Sequence, residues 1–368
     1  EKMAKHFFQQ LCRFNCKKKN KKNRKLLNHT FSTLFFGNKS NLFNNGVHFS
    51  SSVTTNNSYS NNFFDISSEN ESQIFKVENI PDDSNIHVAE CVNKTKVGKD
   101  LYQLTFLTGK HHKKNNNFSF IPGQWIDMFI PSRKTVGGFS ITSTTGQLPY
   151  FDLAVQNTNH PPTSWLCNEC KVGDVVSVQS GGSFCWDKSF EKNKILLVAG
   201  GIGINPLFSM LSEVITVLDG EEYSVLDPPK ISLLYTVKSL DCALFLKEIT
   251  EFASWYPNSV QVTLKLTDEN VDNNKIMENN IDIVVKNENL TVLENRLNHF
   301  DFKNAINFLN VNDDDESINS NSCSSTLNAE DNEHIVCYLC GPPSFVDDYE
   351  KIVQEEFVVM DTRVERWW

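Results

Sequence analysis

Three closely spaced glycines follow an apolar run and precede an apolar repeat of helical spacing, as expected of a phosphate-binding turn. The segment reads Gly-Gly-Ile-Gly-Ile-Asn-Pro over 200–206. Glycines let the backbone approach a phosphate closely, and the start of the next helix offers unpaired N–H groups and the positive end of a dipole. A tight strand-to-helix connection is the alternative. The flanking elements favour phosphate binding by Gly200, Gly201, Ile202, Gly203, Asn205 and Pro206.

A second candidate motif, Cys340-Gly341-Pro342-Pro343, ends the last apolar run of the chain. Ligands of open α/β sheets bind outside the carboxyl ends of the strands. The two motifs, at two strand ends, are therefore expected to face the same crevice. A Gly-Pro-Pro run would also make a good rigid turn, which is the structural alternative.

The ten cysteines do not indicate a secreted disulfide scaffold in a chain of 368 residues. Two CxxC pairs, Cys167 with Cys170 and Cys337 with Cys340, leave zinc binding open. Their separation is far larger than in compact zinc modules, so no metal is predicted. The C-x4-C-x2-C spacing of a ferredoxin-like iron–sulfur cluster is absent from the sequence, and the next electron carrier is expected to be external.

The elements that would position these motifs differ between the two halves of the chain. Short β-rich runs separated by Gly, Pro and polar turns, at 101–107, 125–130, 151–155 and 175–178, predict a small antiparallel barrel or sandwich. From Lys194 onward, apolar strands at 195–198, 231–235 and 260–266 alternate with helical repeats and predict a doubly wound parallel sheet. The predicted domains span 71–190 and 191–368.

Two polar regions are predicted to lie outside these domains. Residues 268–332, rich in Asn, Asp, Glu and Ser, are interpreted as a disordered insertion with at most a helix around 290–309. Residues 1–70 are interpreted as a basic segment and an Asn/Ser-rich linker. Residues 2–64 contain no Asp or Glu, although the whole chain carries a net charge of −10. This favours a mitochondrial transit peptide over a disordered or nucleic-acid-binding basic tail. No apolar run reaches about 20 residues, so a soluble protein without a transmembrane segment is expected.

The two glycine motifs, in this order, resemble the ferredoxin–NADP reductase superfamily. The resemblance extends from about residue 75 to the end of the chain, apart from the insertion. It includes Pro122-Gly-Gln-Trp125, Phe139-Ser-Ile-Thr-Ser143, Gly173-Asp-Val-Val-Ser-Val178 and Gly181-Gly-Ser-Phe184. Four segments together, Val-Gly-Gly-Phe-Ser, Thr-Asn-His-Pro-Pro, Gly-Gly-Ile-Gly-Ile-Asn-Pro-Leu and the terminal Trp-Trp, most resemble the branch of proteins called oxidoreductase NAD-binding domain-containing protein 1.

This resemblance implies a flavin-binding β-barrel followed by an NAD(P)-binding α/β domain, and hydride transfer from nicotinamide to flavin N5. It places the Ser140 hydroxyl near flavin N5 and Phe139 against the flavin, with Thr142 and Ser143 in the same binding stretch. It places Cys340 beside the nicotinamide. A terminal tryptophan, Trp367 or Trp368, would stack on the flavin, and Trp368 is the predicted cofactor-binding residue of the two. Core packing of these side chains is the alternative.

Two departures from the superfamily pattern bear on flavin affinity. Gly137 stands where the superfamily has an Arg for the flavin pyrophosphate, and Phe139 replaces a Tyr. Loss of a bidentate phosphate partner is expected to weaken flavin binding. Arg133, Lys134 or His160 are candidate substitutes, and His160 and Thr163, at the start of a helix, are candidate pyrophosphate contacts. Weak binding would also suit a reductase that uses flavin as a loosely held substrate.

The sequence therefore predicts an NAD(P)H-dependent flavin oxidoreductase that uses FAD, with FMN as the alternative, and an external acceptor that could be a protein. The residues after the second strand of the α/β domain, Thr236-Val237-Lys238, lack the Arg typical of NADP-specific members, which favours NADH. No nucleic-acid partner is expected. Two other classes stay open: a catalytically weak NAD(H)-binding module, and a structural metal-binding protein.

Overall fold

Two six-stranded sheets organise the described part of the chain, one antiparallel and the other parallel. This computed structural model describes residues 86–109, 118–130, 134–187, 193–219, 228–268, 290–311, 332, 334–359 and 361–367. The predicted targeting segment and linker, Arg133 and Trp368 lie outside these residues. The described residues all belong to one compact unit, Glu71–Trp368.

The antiparallel sheet has the strand order β4-β3-β6-β1-β2-β5. A bridge between Ile141 and Leu153 joins its two edge strands and closes it into a barrel, as predicted. Phe106, Ile126 and Phe151 are fully buried inside it, because alternate residues of each strand point inward. The elements are β1 (His87–Gly98), β2 (Leu101–Thr108), β3 (Trp125–Ile130), β4 (Thr135–Ser140), β5 (Tyr150–Gln156), α1 (Pro161–Asn168) and β6 (Val175–Gly181).

The parallel sheet has the order β10-β9-β8-β7-β11-β12, which confirms the predicted doubly wound fold. The strand order reverses between β7 and β11, and such a switch point is where α/β sheets bind ligands. The elements are β7 (Lys194–Gly200), α2 (Ile204–Asp219), β8 (Lys230–Val237), α3 (Leu246–Trp255), β9 (Val260–Leu266), β10 (Leu290–Glu294), α4 (His299–Asn310), β11 (Ile335–Gly341), α5 (Pro343–Lys351) and β12 (Asp361–Arg366).

Helices cover both faces of the parallel sheet. Ile195 and Leu197 of β7 share a buried cluster with α2 and α3, whereas Leu196 and Val198 share another with α4 and α5. The stretch Gly201–Asp219 has the length and hydropathy of a membrane span, but more than half of it is buried inside the fold. Its apolar residues Leu207, Met210 and Val214 pack in the first cluster, which accounts for this composition.

Part of the predicted insertion belongs to the parallel sheet. Residues 290–294 form edge strand β10, which pairs in parallel with β9, and residues 299–310 form helix α4. The expectation of disorder does not hold for 290–311, because Phe302, Ile306 and Leu309 bury one face of α4. Most of the remainder of 268–332 lies outside the described residues.

Candidate functional site

The glycine turn and the last strand meet at the switch point of the parallel sheet. Strands β7 and β11 are neighbours, with Ala199 opposite Cys340. A Cβ atom at Gly203 would overlap the carbonyl oxygen of Cys340. A Cβ at Gly341 would lie 2.7 Å from the ring of Phe345, which also touches Gly200. The two motifs therefore lie side by side at the switch point, where a ligand crevice is expected, and the absence of side chains allows their backbones to touch.

The opposite side of the glycine turn is open. Gly201 has φ +56°, and no atom of the described residues would lie within 4 Å of a Cβ placed there. Helix α2 begins directly after the turn at Ile204, and its first turn contains no acidic residue. Backbone N–H groups and the positive end of the helix dipole are thus available to an anion at this point.

Three buried side-chain atoms from residues at this edge of the sheet have no hydrogen-bond partner within the described residues. They are Asn205 Oδ1, Thr236 Oγ1 and Trp367 Nε1. Thr236 is the ladder neighbour of Gly200, and Trp367 donates its backbone N–H to the carbonyl oxygen of Gly341. A buried polar group left unpaired costs about 1–3 kcal/mol, and three of the six such atoms in the described residues lie at this edge of the sheet.

Cys340 is buried and lies beside a half-buried carboxyl group. Its Sγ is 4.0 Å from Oε2 of Glu365, its neighbour on β12. Burial, with the nearby Glu365, raises the pKa of the Cys340 thiol well above its usual value, and burial raises the pKa of Glu365 to about 7. Cys340 is therefore a neutral thiol in this crevice, and Glu365 exchanges a proton near neutral pH.

The two CxxC pairs do not come together. Cys337 and Cys340 lie on opposite faces of β11, in different buried clusters, whereas Cys167 and Cys170 lie in the barrel core. Within the described ranges no group of three or more His, Cys, Asp or Glu side chains is arranged to hold a metal ion.

The candidate flavin-binding stretch, Phe139–Ser143, runs from the end of β4 along α2. Phe139 is half-buried against the barrel core, and Ser140 pairs with Trp125 of β3. Thr142 and Ser143 are buried. The hydroxyl of Ser143 accepts the backbone N–H of Asp152, so this side chain already stabilises β5.

One face of α2 binds this stretch through polar side chains spaced four residues apart. Asn205 Nδ2 donates to the carbonyl oxygen of Ala154 at 2.7 Å, and Ser209 Oγ donates to that of Ser143 at 2.6 Å. Glu213 accepts from both the N–H and the hydroxyl of Thr145, at 2.9 and 2.8 Å. The helix that begins at the glycine turn is thereby joined to the barrel along its length.

The start of α1 contains the other candidate phosphate contacts. His160 is the N-cap residue, is exposed, and lies with Nδ1 3.3 Å from the hydroxyl of Thr163. Pro161 and Pro162 occupy the first two helical positions. Gly137 of β4 lies directly beneath, where a Cβ would be 2.5 Å from Cβ of Pro162. Lys134, a candidate substitute for the missing Arg, is exposed just before β4.

Sequence reasoning missed Glu365 and Glu213. Glu365 lies on β12, and only the register of β12 against β11 places it beside Cys340. The spacing of Asn205, Ser209 and Glu213 was a detectable signal, because residues four apart share one face of a helix.

Comparisons with known proteins agree with this geometry. Residues 192–354 match the family model described as ferric reductase NAD binding domain. A curated relative from Danio rerio, named oxidoreductase NAD-binding domain-containing protein 1, is 30% identical over 258 residues, which cover 68% of this chain and 83% of the relative. The superfamily and branch predicted from the sequence are confirmed.

Solved structures with low sequence identity share the fold. One is the FAD/NAD-binding domain of a nitric oxide dioxygenase from Vibrio cholerae, at 15% identity and a TM-score of 0.53, covering 76% of this chain and 98% of that chain. Another is a ferredoxin NADP+ reductase from Neisseria gonorrhoeae with bound FAD and NADP, at 12% identity and a TM-score of 0.53, covering 78% of this chain and all of that chain. The predicted two-domain fold class is thus confirmed.

Proposed function

Because the chain belongs to the family of proteins named oxidoreductase NAD-binding domain-containing protein 1, we propose that it is an NAD(P)H-dependent oxidoreductase that transfers hydride from nicotinamide to a flavin. The observation that carries this proposal is the contact between Gly203 and Cys340 at the switch point, next to the open face of Gly201. It creates a crevice with a phosphate-binding helix start on one side and a strand end on the other.

The residues of the crevice fit a nicotinamide dinucleotide. The pyrophosphate would lie over Gly201 at the start of α2, where no side chain blocks the backbone. Asn205 Oδ1, Thr236 Oγ1 and Trp367 Nε1, which lack partners within the described chain, would supply polar contacts. Cys340 and Trp367 would hold the nicotinamide ring and exclude water from it, as enzymes that transfer hydride require.

Glu365 and Cys340 place a proton-exchanging group next to an uncharged thiol. Since burial raises the pKa of Glu365 to about 7, its carboxyl group is partly protonated at neutral pH and avoids a fixed negative charge beside the nicotinamide. A flavin bound by the barrel would accept the hydride and pass its electrons to an external acceptor. Ser140, at the end of β4, is the hydroxyl proposed to face that flavin.

We propose NADH as the preferred donor. Lys238, exposed after β8, is the basic side chain near the expected 2′-phosphate position, and no Arg accompanies it in Thr236-Val237-Lys238. A bidentate Arg is the side chain best suited to hold a phosphate, so the segment supports a preference for the nucleotide that lacks one.

An anaerobic titration of the full chain with NADH and NADPH, in the presence of added FAD and then FMN, tests the proposal. The visible absorbance band of the flavin is expected to bleach, at lower concentrations of NADH than of NADPH. Gly146→Ala, outside the crevice, should bleach like the wild type. If NADH binds but no flavin is bleached, the NAD(H)-binding module replaces the oxidoreductase.

The mitochondrial location rests on the acid-free, basic sequence of residues 2–64. Residues 1–70 fused to a fluorescent protein should direct it to mitochondria, and the same segment with its basic run at 17–25 changed to glutamine should not. Nuclear accumulation of the first fusion would contradict this location.

A further inference from the structure

The two helix starts that could bind phosphate differ in the number of N–H groups they offer. The start of α2 follows an open glycine turn. The start of α1 has proline at its first two positions, and proline has no N–H. The N–H of His160 is 3.3 Å from the hydroxyl of Thr158, and that of Ser164 donates to the carbonyl oxygen of His160. Thr163 is left as the backbone donor of this first turn.

The strand beneath α1 leaves no space for a basic side chain. A Cβ at Gly137 would lie 2.5 Å from Cβ of Pro162 and 2.8 Å from Cε2 of Phe139. Gly137 is buried, and its φ is not in the left-handed region, so the space and not the backbone conformation requires glycine. The proline ring and the aromatic ring occupy the volume into which a phosphate-binding side chain would extend.

The end of β4 retains groups suited to an aromatic ring. Phe139 is half-buried with its ring against Gly137, and Ser140 lies opposite Trp125. These side chains offer apolar surface and a hydroxyl, but no charge. These three side chains therefore suit the ring system of a flavin, whereas Gly137 and the two prolines that begin α1 supply no contact to its phosphates.

We infer that this chain takes flavin as an exchangeable substrate recognised through its ring system, so that riboflavin, FMN and FAD are bound and reduced alike. This inference rests on the proposed hydride transfer. In each turnover NAD(P)H breaks its C4–H bond and becomes NAD(P)+. The flavin gains that hydride and one proton from solvent, which completes a two-electron reduction, and then dissociates.

Equilibrium titrations of the full chain with riboflavin, FMN and FAD, followed by quenching of flavin fluorescence, test the inference without turnover. The three Kd values are expected to lie within about threefold, and the chain should elute from gel filtration without flavin. An FAD Kd more than thirtyfold below that of riboflavin, or FAD retained through gel filtration, overturns the inference. Equal binding without reduction by either nucleotide would instead reject the proposed function.

Two sets of variants examine the phosphate side directly. Restoring donors and space with Pro161→Ser, Pro162→Gly and Gly137→Arg together should tighten FMN and FAD binding about tenfold and leave riboflavin unchanged, because glycine regains the N–H and removes the Pro162 Cβ that a side chain at 137 would meet. Arg133→Ala and Lys134→Ala should each raise the FAD Kd less than threefold. A tenfold rise in either would show that a basic side chain holds the phosphates and would overturn the inference, whether or not the triple variant folds.

Discussion

At the scale of single residues, Glu365 links stability to pH. Its carboxyl group is half-buried, and desolvation raises its pKa from 4.5 to about 7. Below about pH 4.5 the group is protonated in both states. Between about pH 4.5 and pH 7 the Glu365 carboxyl group ionises in the unfolded chain but stays protonated in the folded one. The free energy of unfolding therefore falls, compared with that of a variant with an uncharged side chain at this position. The loss above pH 7 is up to about 3 kcal/mol.

Glu365→Gln is therefore expected to raise the free energy of unfolding at pH 8 and to change it little at pH 4. Urea unfolding of both proteins at the two pH values measures this difference. Glu294→Gln, at an exposed position at the end of β10, is the matched control and should be neutral at both. A stability gain of Glu365→Gln that is equal at pH 4 and pH 8 would show that burial of the charge is not its cause.

Gly201 and Gly203 belong to one turn but require glycine for different reasons: Gly201 for its backbone conformation and Gly203 for lack of space. Gly201→Ala meets no atom but has φ +56°, so it should cost about 1 kcal/mol of stability. Its methyl group would enter the proposed ligand space, so the NADH Kd should rise about tenfold. Gly203→Ala should destabilise the fold by more than this, because its Cβ meets the backbone of Cys340. Thermal unfolding and isothermal titration with NADH separate the two effects.

The glycine turn and the CGPP strand end could be found from sequence because glycine and proline have direct backbone consequences. Glu365 could not, since nothing in Asp361–Arg366 states that β12 lies beside β11. For Ser143, the sequence showed the motif but not the hydrogen bond that its side chain makes with the backbone N–H of Asp152.

At the scale of elements, a buried ion pair attaches α4 to the parallel sheet. Lys265 of β9 lies 3.0 Å from Asp301 of α4, with both side chains only 3% exposed. Lys265→Met would leave the Asp301 carboxylate buried without its cation and should cost about 3–5 kcal/mol. Chemical denaturation measures this loss.

Lys303→Met is the matched control, because Lys303 is exposed on the same helix and its substitution should change stability by less than about 0.5 kcal/mol. The double variant Lys265→Met, Asp301→Asn, which removes the charge but keeps an acceptor for the Asn298 N–H, should recover most of the loss. Equal effects of Lys265→Met and Lys303→Met would mean that the ion pair is not what attaches α4.

Strand β10 was not predictable from its sequence because it is an edge strand of five residues with one fully buried position, Leu290. Its Leu-Thr-Val-Leu run is apolar, but a run this short cannot be told from part of a helix by its pattern alone. The central strands were predictable for the converse reason: Ile195 to Val198 are buried on both faces and read as an unbroken apolar run.

At the scale of the whole molecule, the polar face of α2 sets the position of the barrel relative to the crevice. Glu213→Ala removes two charge-assisted bonds to Thr145 and should cost about 1–3 kcal/mol. The NADH Kd should stay within about twofold, whereas the rate of hydride transfer should fall about tenfold, because the reacting groups come from both halves. Stopped-flow reduction of added flavin measures this rate.

Thr216→Ala, at an exposed position on the same helix, removes only a hydrogen bond within α2 and should leave the hydride transfer rate unchanged. A Glu213→Ala variant that weakens NADH binding and hydride transfer equally would show that the residue acts within the crevice and not between the two halves.

The switch point also has a consequence for biosynthesis. Strand β7 gains its neighbour β8 soon after it is made, but about 135 residues separate Gly200 from Ile335, where β11 begins. At ribosomal speeds of about 5–20 residues per second, one edge of this apolar strand stays without its partner for roughly 7–27 seconds. The nascent chain thus exposes an unpaired edge of an apolar strand before the crevice can exist, and molecular chaperones are expected to shield it during that interval.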